Sequence, residues 1–181
     1  MRCFISIDLP EHVKSEVFHR FENLYGRNFF KGKLTEKENL HLTLNFLGNI
    51  ENEQIEEIKK ELRQVKFGKF SCKIGKAGFF DNEDHVRIIW VELLSEGDKL
   101  NVLQKKISEI LSEFKTDDKE FSSHITVARV KIVTDKKNLI KEMKNIHFKN
   151  LDFETDKFSL MKSELMRQGP EHRTLEEFKL K

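Results

Sequence analysis

Two short stretches of the sequence carry a histidine and, two residues later, a threonine, with an apolar residue after each. The stretches are residues 40–44 and 123–127, and their histidines, His41 and His124, stand 83 residues apart (124 minus 41). Two imidazoles can divide acid–base work at neutral pH, because the ordinary pKa of a histidine is about 6.5. One ring can take a proton from a nucleophile while the other gives a proton to a leaving oxygen. The spacing and the residue types therefore predict a two-histidine catalytic site.

The threonines suit a reaction at phosphorus. Side chains alternate between the two faces of a strand, so Thr43 shares a face with His41, and Thr126 shares a face with His124, about 7 Å along the backbone. A hydroxyl there can donate to a non-bridging phosphate oxygen, which stabilises charge without a metal. Around these strands no two histidines or acids recur at metal-ligand spacing, so we expect no metal and no cofactor.

The duplication of the pattern carries the argument, since one histidine beside a threonine in an amphipathic strand is ordinary. Average residue usage gives roughly 0.1 chance occurrences in a chain of this size, so two have a probability on the order of 0.01. A third stretch, residues 172–174, begins with His172 but has a charged central residue, Arg173, and no matching second half. We interpret that third stretch as a coincidence.

Each histidine stretch closes a strand–helix–strand unit, one in residues 1–48 and one in residues 85–131. Hydrophobic periodicity of two or of 3.6 residues distinguishes the strands from the helices. The predicted elements of the two units are a strand over 1–9, a helix beginning at Pro10 and a strand over 40–47, and then a strand over 86–94, a helix over 100–114 and a strand over 122–133.

The other predicted elements fill the intervals between and after these units. They are a helix capped by Asn49, a hairpin of 67–80 and 86–94 with a turn at 81–84, a short helix capped by Thr134 and reaching Met143, and strands over 148–161 and 172–180. The chain has two prolines and no Ser/Gly-rich linker, so we expect residues 1–181 to form a single domain.

Composition limits the class of function. The 181 residues, 38% of them apolar, suffice for one compact core. The 33 basic and 31 acidic residues leave a net charge of +2, which is not typical of a bulk nucleic-acid binder, so any RNA contact must be local. Cys3 and Cys72 lack metal-binding spacing, and we expect a cytoplasmic protein with no signal peptide, no transmembrane helix and no membrane partner. The 16 phenylalanines fit core packing better than base stacking.

The sequence resembles the two-histidine phosphoesterases, and among them the RNA 2′,3′-cyclic phosphodiesterases, historically called 2′-5′ RNA ligases. The resemblance spans nearly the whole chain, and the histidine motifs as a pair are specific to the superfamily. The segments that carry it are Met-Arg-Cys-Phe-Ile-Ser-Ile-Asp at 1–8, Asn-Leu-His-Leu-Thr-Leu-Asn-Phe-Leu-Gly at 39–48, Val-Arg-Ile-Ile-Trp at 86–90, His-Ile-Thr-Val-Ala-Arg-Val at 124–130 and Gly-Pro at 169–170.

This resemblance implies a bilobal α+β fold in which two pseudo-symmetric antiparallel sheets form a concave cleft with the helices outside. It makes His41 the proton donor and His124 the proton acceptor, with Thr43, Thr126 and Arg129 binding the substrate. The reverse assignment of the two histidines stays open. Strict alternation from His124 would place Arg129 on the opposite face of its strand, so its inclusion requires a bend or a strand end.

The function implied is hydrolysis of RNA 2′,3′-cyclic phosphate ends to 2′-phosphate ends by a monomer, with tRNA fragments among the possible substrates. Reversible 2′-5′ joining of RNA ends, or another cyclic phosphate as substrate, would use the same residues. A non-catalytic RNA-end binding module would be expected to have a degenerate histidine pair, whereas both motifs here are intact. The family often has an aromatic residue shortly after the Gly-Pro, whereas this chain continues with Glu171 and His172.

Overall fold

The computed structural model describes residues 1–82, 85–114, 120–166 and 169–181. The helices and strands, with two short 3₁₀ turns at Lys37–Asn39 and Glu96–Asp98, are β1 (Arg2–Asp8), α1 (Glu11–Gly26), β2 (Phe30–Leu34), β3 (His41–Asn49), α2 (Asn52–Leu62), β4 (Phe70–Asn82), β5 (His85–Ser95), α3 (Lys99–Ile110), β6 (His124–Val133), α4 (Lys136–Lys144), β7 (Asp152–Thr155), β8 (Lys157–Met166) and β9 (Gly169–Lys179).

The strands form an antiparallel sheet made of two matching halves. One half has the order β3-β1-β8-β9 and the other has the order β6-β5-β4-β7, with β2 paired to β6. The two halves meet where Leu42 of β3 pairs with Ile125 of β6. Each half therefore places its histidine strand at the centre, and the expected two-part α+β architecture is confirmed.

Helices pack their apolar faces into one core with the sheet. The apolar side chains that the helices bury are Val13, Val17, Phe21 and Leu24 from α1, Ile55, Ile58 and Leu62 from α2, Leu100, Leu103 and Ile107 from α3, and Leu139 and Met143 from α4. In the two histidine strands, Leu42 and Ile125 belong to the same core, while the histidines and threonines beside them are only partly buried. The alternation within β3 and β6 thus separates a core face from a cleft face.

Two of the predicted helix caps are wrong. Helix α2 is capped by Glu51, because Asn49 is still in strand β3. Helix α4 is capped by Asp135, whose carboxylate accepts from the backbone N–H of Asn138 at 3.0 Å. The hydroxyl of Thr134 instead donates to the backbone carbonyl of residue 28 at 2.5 Å. In both cases the predicted residue is engaged elsewhere, so the cap moves to a later residue that can accept from the first helical turn.

Several other elements also differ from the prediction. The strand predicted over 148–161 is divided at Asp156 into β7, which pairs with β4, and β8, which pairs with β1 in the other half. The predicted helix over 100–114 ends at Ile110. Strand β2 was not predicted. The hairpin of β4 and β5 is present, and Glu83 and Asp84 of its predicted turn lie outside the described residues.

Candidate active site

The two histidine strands contribute every predicted site residue to one cleft. Strands β3 and β6 lie side by side at the centre of the sheet, with their partly buried faces turned to the same side. The cleft has a volume of about 860 Å³. The predicted site residues that line it are His41, Thr43, His124, Thr126 and Arg129.

Arg129 reaches the cleft because strand β6 has a β-bulge at Val127. Thr126 and Ala128, on either side of Val127, pair with Trp90 and Ile89, which are consecutive in β5. Val127 is therefore an additional residue without a partner in that ladder. Val127 and Ala128 are both buried, and the alternation of faces reverses after them. Arg129 consequently lies on the same face as His124. The bulge is the departure from strict alternation that the inclusion of Arg129 in the site requires.

Strand β3 has the same irregularity at Leu44, 83 residues before Val127 (127 minus 44). Leu44 and Asn45 are consecutive buried residues, and the next side chain, Phe46, is exposed. Phe46 lines the cleft at the position that corresponds to Arg129 in the other half. The two strands therefore repeat a histidine, a threonine and a bulge, and then differ in the residue that follows.

Glycine is required where β2 approaches β6 beside this site. A Cβ atom on Gly32 would lie 2.1 Å from the backbone oxygen of Arg129, closer than any van der Waals contact allows. Strand β2 also pairs Lys33 with Arg129. The unpredicted strand thus supports the backbone of Arg129 and adds Lys33 to the cations of the cleft.

The rings of His41 and His124 are both fixed through Nδ1. The Nδ1 atom of His41 lies 2.7 Å from the carbonyl oxygen of Asn39, and that of His124 lies 2.8 Å from the carbonyl oxygen of Ser122. A carbonyl oxygen can only accept, so Nδ1 carries the hydrogen in each neutral ring, and Nε2 remains as the acceptor. The Nε2 atom of His41 lies 3.0 Å from the Thr43 hydroxyl.

The proton affinities of both rings are reduced. Burial, with a smaller contribution from the nearby His172, lowers the pKa of His41 to about 4, against the hydrogen bond to Asn39, which favours the protonated ring. Burial also lowers the pKa of His124, against its hydrogen bond to Ser122. His41 is therefore neutral at pH 7 in the unliganded cleft.

His172, which the sequence analysis set aside, lies beside His41. The two ring centroids are 5.4 Å apart with the rings perpendicular, and both rings contact Phe4 at 5.0 Å. His172 lines the cleft from strand β9. The informative signal was its place shortly after Gly169-Pro170, where the family often has an aromatic residue, and not its resemblance to the histidine–threonine pattern.

Two aromatic side chains pack against His124. Phe80 meets it edge-on at 4.8 Å, and the centroid of Trp90 lies 6.5 Å away. A Cβ atom on Gly78, which pairs with Trp90 across the hairpin, would lie 2.3 Å from the indole ring, so only glycine leaves room for it. Residue type alone did not separate these aromatic residues from core phenylalanines.

The charges of the cleft are nearly balanced. Arg2, Lys33 and Arg129 line it together with Glu36 and Glu120, and Lys33 forms an ion pair with Glu36 at 2.5 Å. Within the part of the chain that the structure describes, no group of three or more His, Cys, Asp or Glu side chains could hold a metal ion. No helix in that part is long and apolar enough to span a membrane.

Curated proteins with similar sequences cover nearly the whole chain. The RNA 2′,3′-cyclic phosphodiesterase of Methanocaldococcus jannaschii is 34% identical over 184 residues, which cover 98% of this chain and 100% of the relative. The RNA 2′,3′-cyclic phosphodiesterase of Thermotoga maritima is 35% identical over 181 residues, which cover 98% of this chain and 94% of the relative.

Solved structures share the fold over the same extent. E. coli LigT in its apo form superposes with a TM-score of 0.79 at 20% identity, covering 99% of this chain and 96% of that chain. TT0787 of Thermus thermophilus superposes with a TM-score of 0.72 at 26% identity, covering 99% of this chain and 98% of that chain. The family model described as LigT-like phosphoesterase matches twice, over residues 7–90 and 91–172, so that each match contains one histidine strand. The chain therefore belongs to the LigT-like phosphoesterase family.

Proposed function

We propose that this protein hydrolyses the 2′,3′-cyclic phosphate at an RNA end and leaves a 2′-phosphate. The observation that carries the proposal is the pair of imidazoles, His41 and His124, which line one cleft and are each fixed through Nδ1 to a backbone carbonyl, so that Nε2 is the acceptor of each neutral ring. The relatives in Methanocaldococcus jannaschii and Thermotoga maritima are named for this activity.

The reaction needs one water molecule and no other reactant. Nε2 of His124 takes a proton from water as the water oxygen bonds to phosphorus. The bond from phosphorus to the ribose 3′ oxygen breaks on the opposite side, and that oxygen takes a proton from Nε2 of His41. The phosphate stays on the 2′ oxygen, and the proton gained by one ring and lost by the other returns through solvent.

Three side chains are suited to stabilising the phosphate as negative charge builds on it. The hydroxyl of Thr43 lies 3.0 Å from Nε2 of His41, so an oxygen bound there meets both groups. Thr126 lies at the corresponding place in the other half, and Arg129 supplies a guanidinium that can make two parallel hydrogen bonds to phosphate. Such donors act most strongly in a cleft from which water is excluded.

The low pKa of His41 sets a condition on its role as the proton donor. An anionic phosphate beside the ring favours the imidazolium, so the donor gains its proton as the substrate binds. In the unliganded protein the pKa of His41 would favour the reverse assignment, with His124 as the donor. The assignment of His41 as the donor and His124 as the acceptor is therefore tested separately below.

The site is completed by residues of one chain, which supports a monomer in which residues 1–181 act as one domain. We extend the proposal to a cytoplasmic protein that processes RNA ends, with tRNA fragments as candidate substrates. Sedimentation analysis of the purified protein tests the monomer. A dimer that loses activity on dilution would contradict it.

The proposed function is tested with a short RNA that carries a 2′,3′-cyclic phosphate, in the presence of EDTA. We expect conversion to a 2′-phosphate end, identified by resistance to a phosphatase specific for 3′-phosphates and by release of the phosphate with a general phosphatase. A 3′-phosphate product would show that the ribose lies in the opposite sense. A joined product, formed when a second RNA with a 5′-hydroxyl is supplied, would identify end joining, and no conversion at all would favour a binding module.

A further inference from the structure

Lys14 is a lysine that the fold buries near the start of helix α1. Its side chain is 10% exposed, whereas lysines are ordinarily among the most exposed residues of a protein. Its Nζ atom donates to the carboxylate of Asp8 at 2.7 Å and to the backbone carbonyl of Glu38 at 3.1 Å. A buried ammonium group is costly unless it is paired, so these two acceptors fix the place of the Lys14 side chain.

Both acceptors of Lys14 belong to the surroundings of His41. Asp8, at the end of β1, pairs with His41 across the two strands. Glu38 lies in the 3₁₀ turn that leads into β3, and its carbonyl is one peptide plane before the carbonyl of Asn39, which lies 2.7 Å from Nδ1 of His41. Only φ and ψ of Asn39 separate the two planes, so the direction of the first carbonyl restricts that of the second. Lys14 thus restrains the acceptor of the His41 ring.

The half around His124 carries a leucine where the half around His41 carries this lysine. The buried positions 14, 17 and 21 of helix α1 recur as positions 100, 103 and 107 of helix α3, at the same intervals along each helix. Lys14 therefore corresponds to Leu100, a buried residue whose side chain has no hydrogen-bond donor. A position that serves packing in one half is charged and hydrogen-bonded in the other.

The segments that lead into the two histidines are held in different ways. Before His124, the backbone N–H of Leu93 donates to the carbonyl of Ser123 at 3.1 Å, and the Ser123 hydroxyl donates to the carbonyl of Leu93 at 2.5 Å. Strand β5 therefore holds that segment directly. The segment before His41 is a 3₁₀ turn, and the ammonium group of Lys14 restrains it from helix α1.

We propose that Lys14 is a positioning residue for His41, because it holds the turn that keeps the Asn39 carbonyl against Nδ1 of the ring. The hydrogen of the neutral ring then stays on Nδ1, and Nε2 stays the acceptor beside the Thr43 hydroxyl, where the ring regains its proton between turnovers. Without the restraint, the neutral ring populates both tautomers. The state of the ring is independent of the reaction, whereas the effect on rate rests on the function proposed above.

The test reads the tautomer of His41 by ¹⁵N NMR of its ring nitrogens at neutral pH, where burial keeps the ring neutral. Lys14→Met keeps the apolar stem and removes the ammonium group. Asp8 is 58% exposed, so no charge is left buried without a partner and the fold should persist. We expect mixed tautomers for His41, an unchanged spectrum for His124, and a kcat for a cyclic-phosphate RNA that falls by roughly 10-fold with KM within about 2-fold.

Two variants are matched controls. Lys106→Met removes another bond from a lysine to a backbone carbonyl, which joins helix α3 to Lys66 at 2.9 Å, and it should change neither the tautomer nor kcat. Asp8→Asn removes the charge of the ion pair but keeps an oxygen that accepts from Lys14, so the tautomer should stay the same. Lys14→Gln, which is too short to reach both acceptors, repeats the test if circular dichroism shows that Lys14→Met does not fold.

A single tautomer of His41 in the folded Lys14 variant would overturn the positioning role, because the ring would then be fixed without the lysine. An equal change in Asp8→Asn would overturn it too, since the cause would be the charge and not the bond to Glu38, and so would mixed tautomers with an unchanged kcat. Hydrolysis by the unaltered protein is measured in parallel. Mixed tautomers in the variant without any hydrolysis by the unaltered protein would keep the hold on the ring and reject the proposed function, and hydrolysis with a single tautomer would do the reverse.

Discussion

The half of the molecule around His41 and the half around His124 repeat the same parts at the same spacing. Each has a carbonyl that fixes Nδ1 two residues before the histidine, and each has a bulge three residues after it. The surroundings differ, since His41 packs against a second imidazole, His172, whereas His124 packs against Phe80 and Trp90. The two halves therefore repeat the histidine and the threonine that we propose to act at phosphorus, and they differ in the aromatic side chains packed around each histidine.

The strongest test of the comparison removes each imidazole in turn. His41→Ala and His124→Ala should each lower kcat/KM for a cyclic-phosphate RNA by roughly 10²-fold or more, the usual scale for loss of a general acid or base. The double variant should lose less than the product of the two factors, because the two rings serve one step.

Circular dichroism should show an unchanged fold in all these variants. His12→Ala, which removes an exposed histidine of helix α1, is the matched control and should keep full activity. Activity close to that of the unaltered protein in either cleft variant would exclude the two-histidine mechanism.

A change of leaving group distinguishes the two roles. With sulfur in place of the 3′ oxygen, the leaving thiolate has a pKa near ~8.5 and needs no proton from the protein. His41→Ala should then recover most of its loss, about 10²-fold, whereas His124→Ala should stay impaired because the water must still be activated. Recovery by His124→Ala instead would make His124 the proton donor. The low pKa of His41 in the unliganded cleft favours that reverse assignment.

The side chain of Arg129 tests how much one cation of the cleft contributes. Arg129→Gln should lower kcat/KM by roughly 10-fold, and Arg129→Lys should recover part of that loss, because a lysine keeps the charge but cannot make the two parallel hydrogen bonds. Lys131→Ala, which removes an exposed cation two residues further along the same strand, is the control and should have little effect. Equal losses from Arg129→Gln and Lys131→Ala would mean that Arg129 acts through general charge alone.

The shared face of each histidine and its threonine could be predicted from the sequence because it depends on local alternation. A period of two places His41 with Thr43 and His124 with Thr126, whatever the rest of the chain does. Arg129 needed information beyond this period, since its face depends on one extra residue in the pairing with β5. Only the resemblance to a family included it.

Contacts between distant parts of the chain account for what the sequence did not predict. Strand β2 is short and contains Gly32, so it carries little strand signal, and its pairing with β6 provides the stability that its own residues do not. His172 meets His41 across 131 residues (172 minus 41) through the pairing of β9 with β8, which no local pattern encodes. The face on which Phe46 lies depends on the bulge at Leu44, which reverses the alternation of side chains in β3. That bulge is visible only in the pairing of β3 with β1.

The smallest expected effect concerns a titratable side chain that breaks the symmetry, His172. His172→Phe keeps an aromatic ring against both Phe4 and His41 but removes an imidazole whose positive charge disfavours protonation of His41. The pKa of His41 should therefore rise in the variant, and it should remain below about 6.5, because burial, the larger cause, is unchanged. A pH titration followed by proton NMR of the ring C2–H signals, from below the pKa of His41 to above about 6.5, measures the change in pKa. The signal of His124 in the same spectra is the internal control. An unchanged pKa for His41, or equal shifts for both histidines, would show that His172 does not distinguish the two halves electrostatically.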